Sequence, residues 1–291
     1  MFDIAQNDLA YRVDQAIAFL DADPNAIVIA GGTDVLIKVR DGKLAGCHLV
    51  SINGIKELKG VRLNENNEIV IGSLTTFREL EEDETIQRHM PILAGAAGAV
   101  GGPQIRAVGT IGGNISNGVT SADTASTLLT LNAELTLTSS AGHRLLPIEA
   151  YYLSAGKVAL RHGELLTAIT IKPADYRGYH GKYIKYAMRN AMDIAILGCA
   201  VLIKTDVPSR FIEDIRIALG VAGPVPMRAL KTEAALIGLP LEEALCIGPD
   251  ILRKEITPRD SWRASRAFRL HVAGEIFRQA LASAWQEGVE R

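Results

Sequence analysis

Apolar residues recur at helical spacing in Val13, Ala16, Ile17 and Leu20, and Asp21-Ala22-Asp23-Pro24 closes that predicted helix. The short β-branched run 26–30 reads next as a buried strand. A glycine loop follows, and Thr33 or Asp34 stands where it can cap a helix from Val35 to about Arg40, ending before Gly42. Residues 48–52 predict another short strand. Residues 61–63 and 68–71, separated by Asn64-Glu65-Asn66-Asn67, predict a hairpin. Thr76-Phe77-Arg78-Glu79 has the form of a capping box opening a short helix, and the small-residue run 92–100 predicts a tightly packed helix that ends at Gly101-Gly102-Pro103.

Residues 134–138 and 143–146, joined by Ser139-Ser140-Ala141-Gly142, predict a second hairpin, and residues 165–171 a further strand. The polar, glycine-containing stretch 174–181 marks a domain boundary. Beyond it the pattern changes. Two long apolar runs of strand character, 194–203 and 212–221, suit an antiparallel sheet, and residues 229–236 and 241–247 read as short helices. The chain closes with a long amphipathic helix over about 263–286, whose Phe268, Val272, Ile276 and Leu281 lie near one face that packs on the preceding sheet or on a partner.

Two glycine pairs organise this pattern. Val28-Ile29-Ala30-Gly31-Gly32-Thr33-Asp34-Val35 runs from strand to predicted helix, and Thr110-Ile111-Gly112-Gly113-Asn114-Ile115 precedes Asp123 and the apolar helical run 125–131. Glycine permits positive φ and close backbone approach, so a Gly-Gly turn opening into a helix makes an anion-binding concavity. Either loop alone also fits a plain tight turn; together they could grip a diphosphate from two sides. Between Arg106 and Glu134 the one charged side chain is Asp123, so this stretch offers many neutral donors. Neither GxGxxG nor GxxxxGK[ST] occurs.

With 291 residues and 48% apolar side chains, the chain can bury a substantial core in one large or two moderate domains. Its formal charge of −2, without a basic stretch interleaved with aromatics, argues against nucleic acid or an anionic membrane as partner. The N-terminus resembles no signal peptide and no apolar run is of bilayer length, which predicts a cytoplasmic protein. Cys47, Cys199 and Cys246 are too scattered for an iron–sulfur cluster or a zinc site, and no metal site is expected. The six histidines are equally dispersed.

In order and spacing, Ala30-Gly31-Gly32-Thr33-Asp34, then residues 105–115, then Ala191-Met192-Asp193-Ile194-Ala195 resemble the FAD-binding subunits of the xanthine dehydrogenase and molybdenum hydroxylase family, along essentially the whole chain. The resemblance implies an α+β protein. It would have a two-subdomain FAD-binding fold of the vanillyl-alcohol-oxidase type over 1–174 (subdomains about 1–55 and 56–174) and a C-terminal domain over 181–291 with an antiparallel sheet and a long terminal helix. It further implies that Val28 to Val35 and Thr110 to Asn114 wrap the FAD diphosphate, that Asp123 bonds the nucleotide part and that Leu166 packs on the adenine. Val100 stands where some relatives carry an aromatic ring. Lys185, Arg189 and Ile194 fall at the flavin end, where a cation would favour reduced flavin; without the resemblance, Lys185 and Arg189 read as solvated charges. Met192 stands where eukaryotic relatives have an acidic residue.

The function so implied is electron transfer without a catalytic side chain. A molybdenum-cofactor subunit would oxidise the substrate, most simply xanthine or hypoxanthine. A [2Fe–2S] subunit would relay single electrons, and FAD held here would pass them in pairs to NAD. No cysteine-bearing insertion for an extra cluster is present, which points away from the hydroxybenzoyl-CoA reductase branch. Carbon monoxide, nicotinate and aldehyde systems use similar subunits. Two other readings remain: a self-contained FAD oxidase or reductase, for which no histidine sits in a flavin-linking motif, and a subunit that has lost flavin, against which the intact glycine pairs argue.

Overall fold

A computed structural model of the chain describes residues 2–206 and 211–289. Its first lobe comprises β1 (Ile4–Leu9), α1 (Val13–Ala22), β2 (Ala26–Ile29), α2 (Val35–Arg40) and β3 (Cys47–Ser51). The strands form a parallel sheet in the order β1-β3-β2. β3 is central, and residues 47–50 are all buried. β2 is an edge strand, so Ala26 is buried while residues 27–29 are only half-buried, less than the apolar run predicts. The mostly exposed β1 carries no alternation that could mark it in the sequence.

The second lobe begins with β4 (Val61–Leu63) and β5 (Ile69–Gly72), joined by the predicted turn, and continues through α3 (Phe77–Glu82), α4 (Glu84–His89), α5 (Pro91–Gly98), α6 (Pro103–Arg106), α7 (Ile111–Ser116) and α8 (Asp123–Thr130). It ends with β6 (Glu134–Ser139), β7 (Gly142–Pro147), the small hairpin β8 (Tyr152–Ser154) and β9 (Lys157–Val158), and β10 (Leu165–Ile171). Its five-stranded antiparallel sheet has the order β4-β5-β10-β6-β7. The capping box at Thr76 is complete: its hydroxyl accepts from Glu79 N at 3.2 Å, and the Glu79 carboxylate accepts from Thr76 N at 2.7 Å. Every residue of α8 is buried.

After α9 (Pro173–Tyr176), strands β11 (His180–Tyr186), β12 (Leu197–Asp206), β13 (Phe211–Gly220) and β14 (Met227–Arg228) form an antiparallel sheet in chain order, followed by α10 (Leu230–Leu236), α11 (Leu241–Glu255) and α12 (Arg266–Val289). Both faces of this sheet are covered. Cys199, Val201 and Ile203 share a core with Val272, Ile276 and Leu281 of α12, while Ala200, Leu202 and Ala218 join the core of the second lobe. The apolar runs therefore lack polar alternation, since consecutive side chains meet different but equally dry neighbours. Phe268 differs from its predicted facemates: it is exposed and pairs with Tyr186, their ring centroids 5.9 Å apart. α12 starts at Arg266, later than predicted, because Asp260 accepts from Arg266 N and Ser265 accepts from Phe268 N.

α11 runs well past the expected stop at Ile247. Pro249 inside it removes the amide that would bond Leu245 O, and the Arg278 guanidinium of α12 donates to that carbonyl at 3.1 Å instead. Among the described residues, no helix is long and apolar enough to cross a membrane. These three units constitute the expected α+β architecture.

Candidate cofactor site

A cleft of about 710 Å³ runs between the first two lobes, at the carboxyl end of β2. That size falls within the range of small-molecule sites, roughly 300–1,000 Å³. The first glycine loop forms one wall and the head of α7 the other. The walls touch: a Cβ on Gly31 would fall 1.9 Å from Val108 O, so only glycine allows this approach. Gly32 has φ +71°, and its carbonyl accepts from Leu36 N at 2.9 Å as α2 begins. Asp34 precedes α2 in a helical conformation and makes no side-chain cap, unlike the cap its position suggests.

The second glycine pair lies within the first turn of α7 rather than in a turn ahead of it. Thr110 caps that helix, its hydroxyl accepting from Gly113 N at 3.1 Å, while Ile111 N and Gly112 N donate to Thr75 O and Ser73 O. The two walls thus offer different chemistry. Among the described residues none accepts from the N–H of Gly31, Gly32, Thr33 or Asp34, whereas the amides of residues 111–114 are all engaged. What the second wall offers is side chains: the Thr110 hydroxyl hydrogen, the Asn114 amide nitrogen, whose oxygen is taken by Thr124 at 2.6 Å, and the buried Ser73 hydroxyl, which has no partner among the described residues.

Of the residues singled out in the sequence, Val28, Ala30, Gly31, Gly32, Thr33, Asp34, Val35, Val100, Thr110, Gly112, Gly113, Asn114 and Leu166 line the cleft. Ile29 packs instead with Val39 and Leu49, and Ile111 is buried in the second-lobe core. Asp123 and Lys185 are not among the residues that line the cleft; they face each other at 2.9 Å, both largely buried. Tyr183 donates to the other carboxylate oxygen at 2.8 Å, and Lys185 also donates to Ala99 O at 3.0 Å. Burial pushes the Asp123 carboxyl above its ordinary range, against the opposing pull of the Lys185 ammonium and these hydrogen bonds. Arg189 and Ile194 are exposed on the connection between β11 and β12. That connection is pinned near Val100 by Met192 N, which donates to Gly101 O at 3.1 Å with Met192 at φ +57°.

Other cleft residues carry no signal in the sequence of a role at the cleft: Leu20, Ser73, Phe77, Lys38, Asn117 and the turn at residues 160–165 are brought together only by folding, and Ile105 of the second motif joins them. That turn is braced by Arg144, which forks onto buried Glu164 with two contacts of 2.8 Å; Arg161 N adds a third. The fork holds the Glu164 carboxyl below its ordinary range. His162 donates to Leu20 O at 2.6 Å, tying the turn to α1. His48, adjacent to buried Cys47 but on the opposite face of β3, sits between the carboxylates of Asp8 and Asp23 at 2.8 and 3.1 Å.

A two-walled cleft with a strip of uncommitted backbone donors, a buried hydroxyl and apolar lining residues such as Leu20, Val28, Val100 and Leu166 has the chemistry of a dinucleotide-binding site. Residues 9–174 match the family described as the FAD binding domain in molybdopterin dehydrogenase, and residues 182–284 match the CO dehydrogenase flavoprotein C-terminal domain. The chain is 40% identical to the xanthine dehydrogenase FAD-binding subunit of Escherichia coli O157:H7, covering 98% of this chain and 97% of that one. It is 30% identical to the carbon monoxide dehydrogenase medium chain of Hydrogenophaga pseudoflava, over 94% of each. A solved carbon monoxide dehydrogenase structure from the same organism superposes with a TM-score of 0.92 at 28% identity, covering 98% of this chain and 99% of that one. The chain belongs to the molybdopterin dehydrogenase FAD-binding family and is an FAD-binding subunit of the molybdenum hydroxylases. The cleft fits FAD: Gly113 leaves space where only Thr110 Oγ1 would meet a Cβ, and the free amides of the first loop suit a diphosphate.

Proposed function

We propose that this chain is the electron-transfer subunit of a xanthine or hypoxanthine dehydrogenase, joined to a molybdenum-cofactor subunit and a [2Fe–2S] subunit, with NAD as final acceptor. The observation that carries the reading is the near full-length 40% identity to a xanthine dehydrogenase FAD-binding subunit, supported by an intact cleft. When bound, FAD supplies the conversion between one-electron and two-electron transfer. The residues of this chain bind and orient it. The first loop would hold the diphosphate by backbone amides, Thr110 and Asn114 would donate from the opposite wall, and Leu166 with Leu20 would enclose the adenine. Val100 and Ile105 would border the flavin, with Arg189 and Ile194 on the adjoining connection. Asp123 and Lys185 would buttress that end. In this proposal residues 1–174 form the FAD-binding domain and 181–291 the C-terminal domain, and the protein works in the cytoplasm.

The test is isolation of the assembly from its native source, with metal analysis and assay of xanthine-dependent NAD reduction. Molybdenum, iron and flavin together with that activity are expected. Activity with carbon monoxide or an aldehyde instead of xanthine would keep the electron-transfer role and overturn the substrate. Flavin in a metal-free protein that oxidises a substrate unaided would favour a self-contained flavoenzyme.

A further inference from the structure

The charges around the two glycine walls point to one more cofactor contact. Asp34, Lys38, Arg161, His162 and Glu164 are the ionisable side chains lining the cleft among the described residues. Glu164 is neutralised by Arg144, and Arg161 and His162 belong to the turn tied to Leu20. Beside the first loop this leaves Asp34 and Lys38. A doubly charged diphosphate placed there would meet the Asp34 carboxylate, and Lys38 is the cation carried on that same wall, one helical turn beyond it.

Lys38 is also held in place. It lies four residues after Asp34, one turn along the same face of α2. Its Nζ reaches across to the opposite wall and donates to Asn117 Oδ1 at 2.9 Å. Asn117 ends α7, the helix whose first turn carries Gly112 and Gly113. Among the described residues this is the one side-chain hydrogen bond joining α2 to α7 and its cap. An ammonium has three protons, so the bond to Asn117 leaves two free to donate.

We infer that Lys38, braced by Asn117, is a diphosphate-binding residue for FAD that neutralises the charge the backbone amides alone leave uncompensated. The inference rests on FAD binding and not on the identity of the substrate or the final acceptor.

The experiment uses full-length chain stripped of flavin, titrated with FAD, ADP and adenosine by calorimetry at several salt concentrations. Lys38→Met should weaken FAD and ADP by about 10- to 100-fold, the worth of a charged hydrogen bond, and flatten the salt dependence of both. Adenosine, which lacks phosphate, should bind as it does to the unaltered chain. Lys38→Arg should restore most of the affinity, and Asn117→Ala should weaken FAD by a smaller factor. Unchanged FAD and ADP affinity in Lys38→Met would overturn the inference. Equal loss of adenosine would also overturn it by showing general damage to the cleft, and circular dichroism of the variant would reveal any folding defect behind such a loss.

Discussion

At the scale of the residue, the glycines of the two walls separate folding from binding. A Cβ on Gly31 would meet Val108 O, and one on Gly112 would lie 2.6 Å from Ser73 O, both backbone atoms that cannot turn aside. All three glycines line the cleft, but a Cβ on Gly113 would meet only the Thr110 hydroxyl, at 3.0 Å. Gly31→Val and Gly112→Val should therefore lower the melting temperature, whereas Gly113→Val should keep it and lose flavin. Flavin absorbance per chain beside a thermal melt checks this, and a Gly113→Val protein with full flavin would refute the assignment of the second wall. Asp123 and Lys185 are coupled differently. Removing either partner leaves the other buried without its counterion, at about 3–5 kcal/mol, whereas Asp123→Asn with Lys185→Met should cost much less than the sum. Additive losses in a double-mutant cycle would show that the pair does not interact in this way. If Lys185 also tunes the cofactor, Lys185→Met lowers the flavin midpoint potential, read by redox titration; an unchanged potential confines Lys185 to a structural role. The two residues stand 62 apart in sequence, so their pairing is invisible in either segment read alone.

Among the elements, the turn at residues 160–165 depends on ionisation. Glu164 titrates below its ordinary value because Arg144 bonds its charged form first and foremost. Its contribution to stability is therefore complete above that ordinary value and is lost as pH falls through it toward the lower folded value. Glu164→Gln should flatten the acid limb of a stability-versus-pH curve and weaken FAD, since Leu165 and Leu166 follow the turn directly. Urea melts between pH 3 and 7 test the first, and an unaltered acid limb would show that Glu164 does not govern it. α11 gives the converse lesson about elements. Gly248-Pro249 reads as a helix stop by local rules, yet the helix continues because Arg278 from another element satisfies the carbonyl that proline abandons. A boundary set by such a partner cannot be read from the helix itself.

For the whole molecule, the C-terminal sheet serves two cores. Ala200, Leu202 and Ala218 complete the core of the second lobe, and Arg216 reaches over to Asp175 at 3.0 Å and to Thr130 O at 3.2 Å. Arg228 likewise bonds Asn132 at 2.9 Å. We propose that a fragment of residues 1–180 exposes the apolar face of α5 and α8 and associates in solution despite containing every cleft residue. Analytical ultracentrifugation of the fragment checks this; a monomer with native flavin affinity would show that the first domain is autonomous.

What the sequence determined by itself was local. Helical spacing in α1, the capping box at Thr76, the hairpin turns and the first glycine pair each express chemistry contained within a few residues and appear where that chemistry places them, whereas the second glycine pair lies inside the first turn of α7. The doubly covered C-terminal strands were legible too, because burial on both faces leaves an uninterrupted apolar run. Tertiary structure alone decided which walls meet. It placed Gly31 against Val108, Asp123 on Lys185 and Lys38 on Asn117, and it left one loop's amides free while engaging the other's. These are contacts between distant segments, set by how the lobes pack, and no local pattern of residues encodes the partner that a side chain will find there.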